Sequence, residues 1–398
     1  MKFLVSAGEA SSDLYGAQLI VALRRRARAD DEPMEFFGVG GERMRAAGCD
    51  IVVEARHLAV VGMTEILSHL PKIYSEFHKL LRFVDALPKK PDAAIVIDSP
   101  AFNFRVAREL HRRSVPVIYF VAPQLWAWRE YRVRRVQKWI KKVLCIFPFE
   151  VDFYRKYGVD VEYVGHPLAD LPPPSVPREE YARKFSLDPA RQWVALLPGS
   201  RVKEVKATMP AMAGATALVA ERNPSLQFIL PVAPSLDVNY MNRLLKDCFE
   251  QDQHRPTLVE DARAALHHSR AAVVSSGTAT VEAALMGTPF VTVYRLSPLT
   301  FFAARRLVKV PHVAMPNLIA GRQIVTELLQ NDFTPHRVAA ELTKIIGDGL
   351  ARQQMLADLA GVREKLQFPG RSHLQGATAI ERAADAVMKS VDAHGSGR

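Results

Sequence analysis

Along the first half of the chain, short apolar runs alternate with longer stretches whose apolar positions return every three or four residues. The short runs predict buried strands at Lys2–Ala7, Phe36–Val39, Ala93–Ile97, Val117–Val121 and Val143–Ile146. The helical spacing predicts Ala17–Arg28, Glu65–Leu87, Phe102–Arg113 and Val133–Lys142. Gly38-Val39-Gly40-Gly41 resembles half of a dinucleotide fingerprint but lacks its third glycine in register, which predicts a turn. Leu171-Pro172-Pro173-Pro174-Ser175-Val176-Pro177 is the clearest break and predicts a stiff linker over 171–178. The alternation then restarts, with strands expected at Trp193–Leu197, Gln227–Pro231, Thr257–Val259, Ala271–Ser275 and Phe290–Val293, and long helices in the last part of the chain.

Strands alternating with helices imply parallel sheets with right-handed crossovers. The expected fold class is therefore α/β, with two Rossmann-like domains facing across a cleft, over residues 1–170 and 179–365. Residues 366–398 are expected to form a helical segment that packs back on the first domain or on a partner subunit. A length of 398 residues agrees with two cores rather than one.

Hydrophobic content of 48% and charged content of 24% are those of a soluble globular protein. No stretch has the apolar length of a membrane span, and Lys2-Phe3-Leu4-Val5-Ser6 leads into a strand without a signal-peptide pattern. Cys49, Cys145 and Cys248 lie far apart with no metal-type spacing, so a reduced, cytoplasmic protein is expected. The net charge of +11 is spread: residues 1–170 hold 26 Lys and Arg against 21 Asp and Glu, and the rest 27 against 21. Such an excess suits anionic substrates or an anionic membrane surface. Zinc-finger spacing and RNA-binding aromatic signatures are absent from the sequence, so nucleic acid is not an expected partner.

Ligands of open α/β sheets gather at the carboxyl ends of strands, and these ends carry the candidate chemistry. After Ala271–Ser275, Ser276-Gly277-Thr278-Ala279-Thr280 opens a helix that Gly287 and Pro289 stop, leaving backbone N–H groups for a phosphate. Glu282, one turn in, suits a ribose hydroxyl. After Trp193–Leu197 comes Pro198-Gly199-Ser200-Arg201, a tight turn with a hydroxyl and a forked guanidinium that can clamp a diphosphate. Glu260 and Asp261 follow Thr257–Val259. In the first half, Gly8-Glu9-Ala10-Ser11-Ser12-Asp13 follows the first strand, and Asp98-Ser99-Pro100-Ala101 follows Ala93–Ile97. Asp98 is a lone carboxylate placed by a strand and a proline, as a general base must be; the alternative is an Asp that caps the next helix. The sequence has no Asp-x-Asp motif, which argues against metal-bridged diphosphate chemistry, and no metal or cofactor is expected.

The segments Gly8–Asp13, Gln124-Leu125-Trp126-Ala127-Trp128-Arg129, Pro148-Phe149-Glu150, Val164-Gly165-His166-Pro167, Leu197–Arg201, Ser276–Glu282 and Pro316-Asn317-Leu318-Ile319-Ala320-Gly321-Arg322, in this order and spacing, resemble the lipid-A-disaccharide synthases from Phe3 to about Gln330. Two positions depart from the pattern: Ser12 stands where the family usually has Gly, and Ala101 where a second Asp is common. The second departure leaves Asp98 as the one carboxylate of its turn.

The resemblance implies a glycosyltransferase-B fold, with an acceptor- and membrane-facing first domain and a UDP-sugar-binding second one. It implies an inverting, metal-free transfer from UDP-2,3-diacylglucosamine to the 6-hydroxyl of 2,3-diacylglucosamine 1-phosphate. Asp98 is then the base, with Glu9 as runner-up or sugar ligand. Ser200, Arg201 and the N–H groups of Gly277 to Thr280 would stabilise the leaving UDP, Glu282 the ribose, and the backbone near Val259 the uracil. Asn317 and Arg322 would reach donor phosphates or sugar, the alternative for Asn317 being a helix cap. His166 is expected to be structural or a hinge, and Trp126 and Trp128 to pack. Acylated substrates call for peripheral contact with the anionic inner face of the cytoplasmic membrane. The expected contacts are Arg129, Arg132, Arg134, Arg135 and Lys138, and Phe301, Phe302, Arg305 and Arg306. Val60–Met63 and the apolar positions of Ile66–Leu81 would hold acyl chains, and a homodimer is allowed. Two other readings share these features: another UDP-sugar enzyme such as a 2-epimerase or polyprenyl-linked transferase, and a non-enzymatic membrane-surface binder.

Overall fold

The computed structural model describes residues 1–27, 33–58, 63–249, 254–297, 301, 308, 310–368 and 376–395. They form two units, Met1–Asp170 with Leu366–Arg398, and Leu171–Lys365.

The first unit runs β1 (Lys2–Ala7), α1 (Ala10–Arg24), β2 (Glu35–Gly40), α2 (Glu42–Ala46), β3 (Cys49–Glu54), α3 (Met63–Asp85), β4 (Ala93–Ile97), α4 (Pro100–Arg112), β5 (Val117–Phe120), α5 (Val133–Trp139), β6 (Lys142–Cys145), α6 (Pro148–Lys156) and β7 (Val161–Tyr163). Its seven-stranded sheet is parallel, in the order β3-β2-β1-β4-β5-β6-β7. β4 and β5 are buried at every position, because helices cover both faces of a parallel sheet. The strand order reverses between β1 and β4, and Glu9 and Asp98 follow these two strands.

The second unit runs α7 (Arg178–Lys184), β8 (Trp193–Leu197), α8 (Val202–Arg222), β9 (Gln227–Pro231), α9 (Val238–Cys248), β10 (Thr257–Val259), α10 (Ala262–His268), β11 (Ala271–Ser275), α11 (Thr278–Met286), β12 (Phe290–Tyr294), α12 (Met315–Ala320), β13 (Glu327–Leu329), α13 (Pro335–Ile346) and α14 (Leu350–Leu366). Its six-stranded sheet, β10-β9-β8-β11-β12-β13, is also parallel. Here the switch lies between β8 and β11, so the 198–201 and 276–280 turns share one sheet edge.

The chain returns to the first unit through α15 (Ala379–Gly395). Arg26 binds Asp385 at 2.5 Å and the Glu381 carbonyl at 2.8 Å, Arg382 donates to the Val164 carbonyl at 2.8 Å, and Lys141 donates to the Ser390 carbonyl at 2.7 Å. The proline-rich segment is tied to the second unit, with Arg263 donating to the Pro172 carbonyl at 2.9 Å and His268 against the Val176 carbonyl at 2.9 Å.

The structure corrects several boundaries. Helix α1 starts at Ala10 rather than Ala17, and α5 stops at Trp139, so Lys142 belongs to β6 and pairs with Glu162 at 3.0 Å. Gly38 and Gly40 lie inside β2 rather than in a turn, and a Cβ at Gly38 would sit 2.1 Å from the Val5 carbonyl of the neighbouring strand. The amides after this strand are already taken: Asp13 accepts Gly41 N–H at 2.6 Å, Arg43 N–H at 3.2 Å and Met44 N–H at 3.3 Å. β3, β7 and β13, unexpected from sequence, lie towards or at the sheet edges, where no continuous apolar run is needed.

Candidate functional site

In the first unit, the chain leaving β4 makes two consecutive left-handed residues, Asp98 (φ 48°) and Ser99 (φ 46°), an arrangement that non-glycine residues adopt only when held. Three buried side chains hold it. Asn103 Nδ2 donates to the Ile97 carbonyl at 3.0 Å and the Asp98 carbonyl at 2.7 Å, and Tyr119 Oη donates to the Asp98 carbonyl at 2.7 Å. Ser6 Oγ completes the set by donating to Asn103 Oδ1 at 2.7 Å. Gly8 lets the β1 and β4 turns approach, since a Cβ there would lie 2.7 Å from Ser99 Oγ.

The Asp98 carboxyl is not the helix cap. Ser99 is the N-cap of α4, and it makes no side-chain capping bond. Burial and the neighbouring Glu9 carboxylate push Asp98 up to about 6, against a hydrogen bond from the Ser99 backbone. A base near that value is ionised at neutral pH and still retains proton affinity. Glu9 itself is exposed at the N-terminus of α1, without a side-chain capping bond.

Sequence reasoning passed over Glu150 as chemistry. It is 1% exposed, accepts Trp126 Nε1–H at 3.1 Å and Phe147 N–H at 3.2 Å, and is pushed up to about 8, chiefly by burial. Proline at the first helical position and Glu two residues later form the sequence signal that marks it, a helix-start signature. Trp126 packs edge-on against Phe149 at 4.8 Å, as expected of a packing residue. Trp128 does not: it is 38% exposed, with the Arg129 guanidinium 4.0 Å over its ring. His166 is 3% exposed, its Nδ1 accepts Leu168 N–H at 3.2 Å, and burial takes it down to about 3, so it is a neutral structural group.

In the second unit, α11 begins at Thr278 behind Gly277, which has a φ of 149° and no side chain to cap the helix. Gly277 and Thr278 are exposed and Ala279 half-buried, so the first-turn amides face solvent, where an anion can take them. Ser276 Oγ donates to the Val313 carbonyl at 3.1 Å and Thr280 Oγ1 to the Gly277 carbonyl at 2.7 Å, while Ser276 N–H goes to the Val293 carbonyl and Thr280 N–H to the Gly277 carbonyl. The expected Thr280 amide is therefore taken, and the amides of Gly277, Thr278 and Ala279 remain as the available donors of this turn. Glu282 is half-buried; burial raises its carboxyl, while Arg263 lowers it and Asp261 raises it.

Beside this turn, Gly199 takes φ 124°, and Ser200 and Arg201 are exposed. Glu204, in the first turn of α8, was not singled out in the sequence. Its carboxylate accepts the Ser200 backbone N–H at 3.3 Å and meets one Arg201 nitrogen at 3.4 Å, so it competes with a phosphate for this turn while leaving the Ser200 hydroxyl and the rest of the Arg201 fork. The Arg201-x-x-Glu204 spacing is the signal that reveals it.

Five expected contributors have other employment. Asp261 caps α10, accepting Arg263 N–H at 3.0 Å and Ala264 N–H at 3.1 Å, and Glu260 pairs with Lys184 at 2.7 Å. Asn317 is fully buried: its amide donates to the Val325 carbonyl at 2.9 Å and Glu327 at 2.7 Å, and its oxygen accepts Ile324 N–H at 2.7 Å and Val325 N–H at 2.9 Å. That exhausts an amide side chain, so Asn317 braces the 314–327 turn and is neither a ligand group nor the helix cap, a position held by Ala314. Arg322 pairs with Asp358 at 2.5 Å within the same unit. The Val259 carbonyl accepts Val232 N–H at 3.0 Å, so the sheet uses it before any base does.

Of the expected membrane residues, Arg134, Arg135 and Lys138 are exposed on α5, while Arg129 and Arg132 are half-buried. Phe301 is 36% exposed; Phe302, Arg305, Arg306 and residues 60–62 lie outside the described residues. Among the described residues no cluster has metal-ligand character, and no helix is long and apolar enough to cross a membrane.

The family model of lipid-A-disaccharide synthetase matches residues 3–379. The lipid-A-disaccharide synthase of Koribacter versatilis is 51% identical over 388 residues, covering 98% of each chain. That of Acidobacterium capsulatum is 48% identical over 386 residues, covering 94% of each. Among solved structures, a UDP-GlcNAc 2-epimerase from Neisseria meningitidis bound to UDP-GlcNAc superposes with a TM-score of 0.65 at 12% identity, over 98% of this chain and 100% of that one. The glycotransferase of kitacinnamycin gives 0.62 at 14% identity, over 98% of each chain. At such identities the structural likeness shows the glycosyltransferase-B fold alone, and the sequence relatives distinguish the synthases from the epimerases. On that ground the chain belongs to the lipid-A-disaccharide synthetase family and is a hexosyltransferase of lipid A biosynthesis.

Proposed function

We propose that the enzyme transfers 2,3-diacylglucosamine from its UDP conjugate to the 6-hydroxyl of 2,3-diacylglucosamine 1-phosphate with inversion, giving the β-1′,6 disaccharide 1-phosphate and UDP. The second unit supplies the donor seat. Charge that gathers on the departing diphosphate is met by Arg201 and by the amides of Gly277 to Ala279, with Glu204 giving way to the phosphate, and Glu282 takes the ribose. The first unit supplies the base. Asp98 takes the proton of the attacking hydroxyl as the new C–O bond forms and the bond to UDP breaks. Glu9 keeps Asp98 basic and is placed to bind acceptor hydroxyls.

The observation that carries this reading is the Asp98 turn, a strained carboxylate held through its backbone by Asn103 and Tyr119. The test is UDP release with the two defined lipid substrates, supplied together and singly. Release only when both are present supports the reading, and turnover of UDP-N-acetylglucosamine alone would replace it with epimerase chemistry.

The same reading places the enzyme at an anionic membrane surface, in a cytoplasmic and peripheral location, through the exposed Arg134, Arg135 and Lys138. Each cation near such a surface contributes about 1 kcal/mol. Replacing all three with Gln should abolish cosedimentation with anionic vesicles while UDP binding persists. Salt-insensitive vesicle binding by the triple variant would place the membrane face elsewhere.

A further inference from the structure

The segment that follows β5 leaves the sheet beside the Asp98 turn, because β4 and β5 pair in parallel with Ile97 opposite Phe120. It is pinned from below by the buried Glu150 through Trp126 and by Tyr154 Oη, which donates to the Pro123 carbonyl at 2.7 Å. At its far end Arg129 is left-handed (φ 60°, ψ 35°), and its carbonyl accepts Arg132 N–H at 2.8 Å.

This turn gathers three guanidiniums. Burial and the facing charges of Arg132 and Arg135 pull Arg129 below its ordinary value, and Tyr131, hydrogen-bonded to Arg132, is lowered by all three. Glu130, the acid of the segment, bonds Tyr157 and faces Lys156 at 4.0 Å. Among the described residues none of the three arginines makes an ion pair with a carboxylate, and the buried Arg132 Nε has no acceptor. A held, mutually repelling set of forked donors with an unsatisfied N–H is short of an anion.

We propose that Arg129 and Arg132 bind the phosphate monoester of the acceptor sugar. The inference rests on the reading of the first unit as the acceptor domain. A phosphate monoester fits because the guanidinium fork matches its oxygens, and Arg129, stacked on Trp128, is fixed in orientation. Half-burial separates this pair from Arg134 and Lys138, which are exposed as bilayer contacts should be.

The test compares kcat/KM for a soluble short-chain 2,3-diacylglucosamine 1-phosphate and for its dephosphorylated counterpart, with UDP binding and melting temperature followed in parallel. The wild type should prefer the phosphorylated acceptor by about ten- to a hundredfold, the worth of a charge-assisted pair. Arg129→Gln/Arg132→Gln should lose most of that preference through KM, and Arg132→Lys, which keeps the charge without the fork, should retain part of it. An unchanged preference in the double variant overturns the proposal. So does a double variant that loses vesicle binding and keeps the preference, since the pair then serves bilayer headgroups. Should the double variant fail to fold, Arg129→Lys and Arg132→Lys decide by the same ratio. A wild type that turns over neither acceptor sinks the acceptor-domain reading instead.

Discussion

Replacing Asp98 with Asn removes the proton acceptor while keeping the side chain's shape, and Asn tolerates the left-handed backbone of this turn as well as Asp does. The bonds that hold the turn come to the Asp98 carbonyl, so they survive the substitution. General-base catalysis is worth roughly two to four orders of magnitude, and turnover should fall by that amount with UDP affinity unchanged. Two signatures separate this from a merely structural effect. In the wild type, kcat/KM should fall about tenfold per pH unit below about 6, because the base must be ionised. The folded carboxyl lies above its unfolded value, so its ionised form is disfavoured by folding. That cost is absent in acid and grows as pH rises from the unfolded value through about 6, reaching about 3 kcal/mol at neutral pH. Asp98→Asn should therefore melt no lower than wild type at pH 7.5. UDP release and a thermal melt read both. Near-normal turnover, or a parallel loss of UDP affinity, would refute the assignment.

In the donor seat, Arg201→Ala should weaken UDP binding about ten- to a hundredfold and Glu282→Ala should weaken it through the ribose, with activity surviving EDTA; magnesium-dependent recovery after chelation would contradict this. Glu204→Gln should tighten UDP, measured by calorimetry, because it removes the carboxylate that meets Ser200 and Arg201. His166 is held neutral down to about 3 when folded, so it withdraws stability as pH falls from its unfolded value of about 6.5 towards 3. His166→Gln should flatten the dependence of melting temperature on pH across that window, and an unchanged slope would remove this cause. Asn317→Ala should lower unfolding free energy by about 2–4 kcal/mol in denaturant titrations, since it strands the buried Ile324 and Val325 amides and removes one of the donors to Glu327, which keeps those of Val313 and Ala314; a loss below 1 kcal/mol would argue against the brace.

The central strands were legible because a parallel sheet is covered on both faces. Ala93–Ile97 and Trp193–Leu197 are apolar throughout, and Phe3–Ala7 is apolar but for the buried Ser6, as strands buried on both faces must be. The turns that follow them were legible for a related reason: the carboxyl ends of such strands are where backbone amides and polar side chains are free to meet a ligand. The short β7 and β13 carry no such constraint at the sheet edges, which is why their mixed sequences did not announce them. What only the tertiary structure decided is which polar groups remain available. Asn317 and Arg322 look like ligands in sequence, but Val325 and Glu327 consume the first and Asp358 pairs with the second, partners that only folding brings near. Asp98 owes its raised proton affinity to burial and to Glu9, 89 residues away in sequence. Charge and spacing are properties of the chain; desolvation and the competition for each donor exist only once the chain has packed.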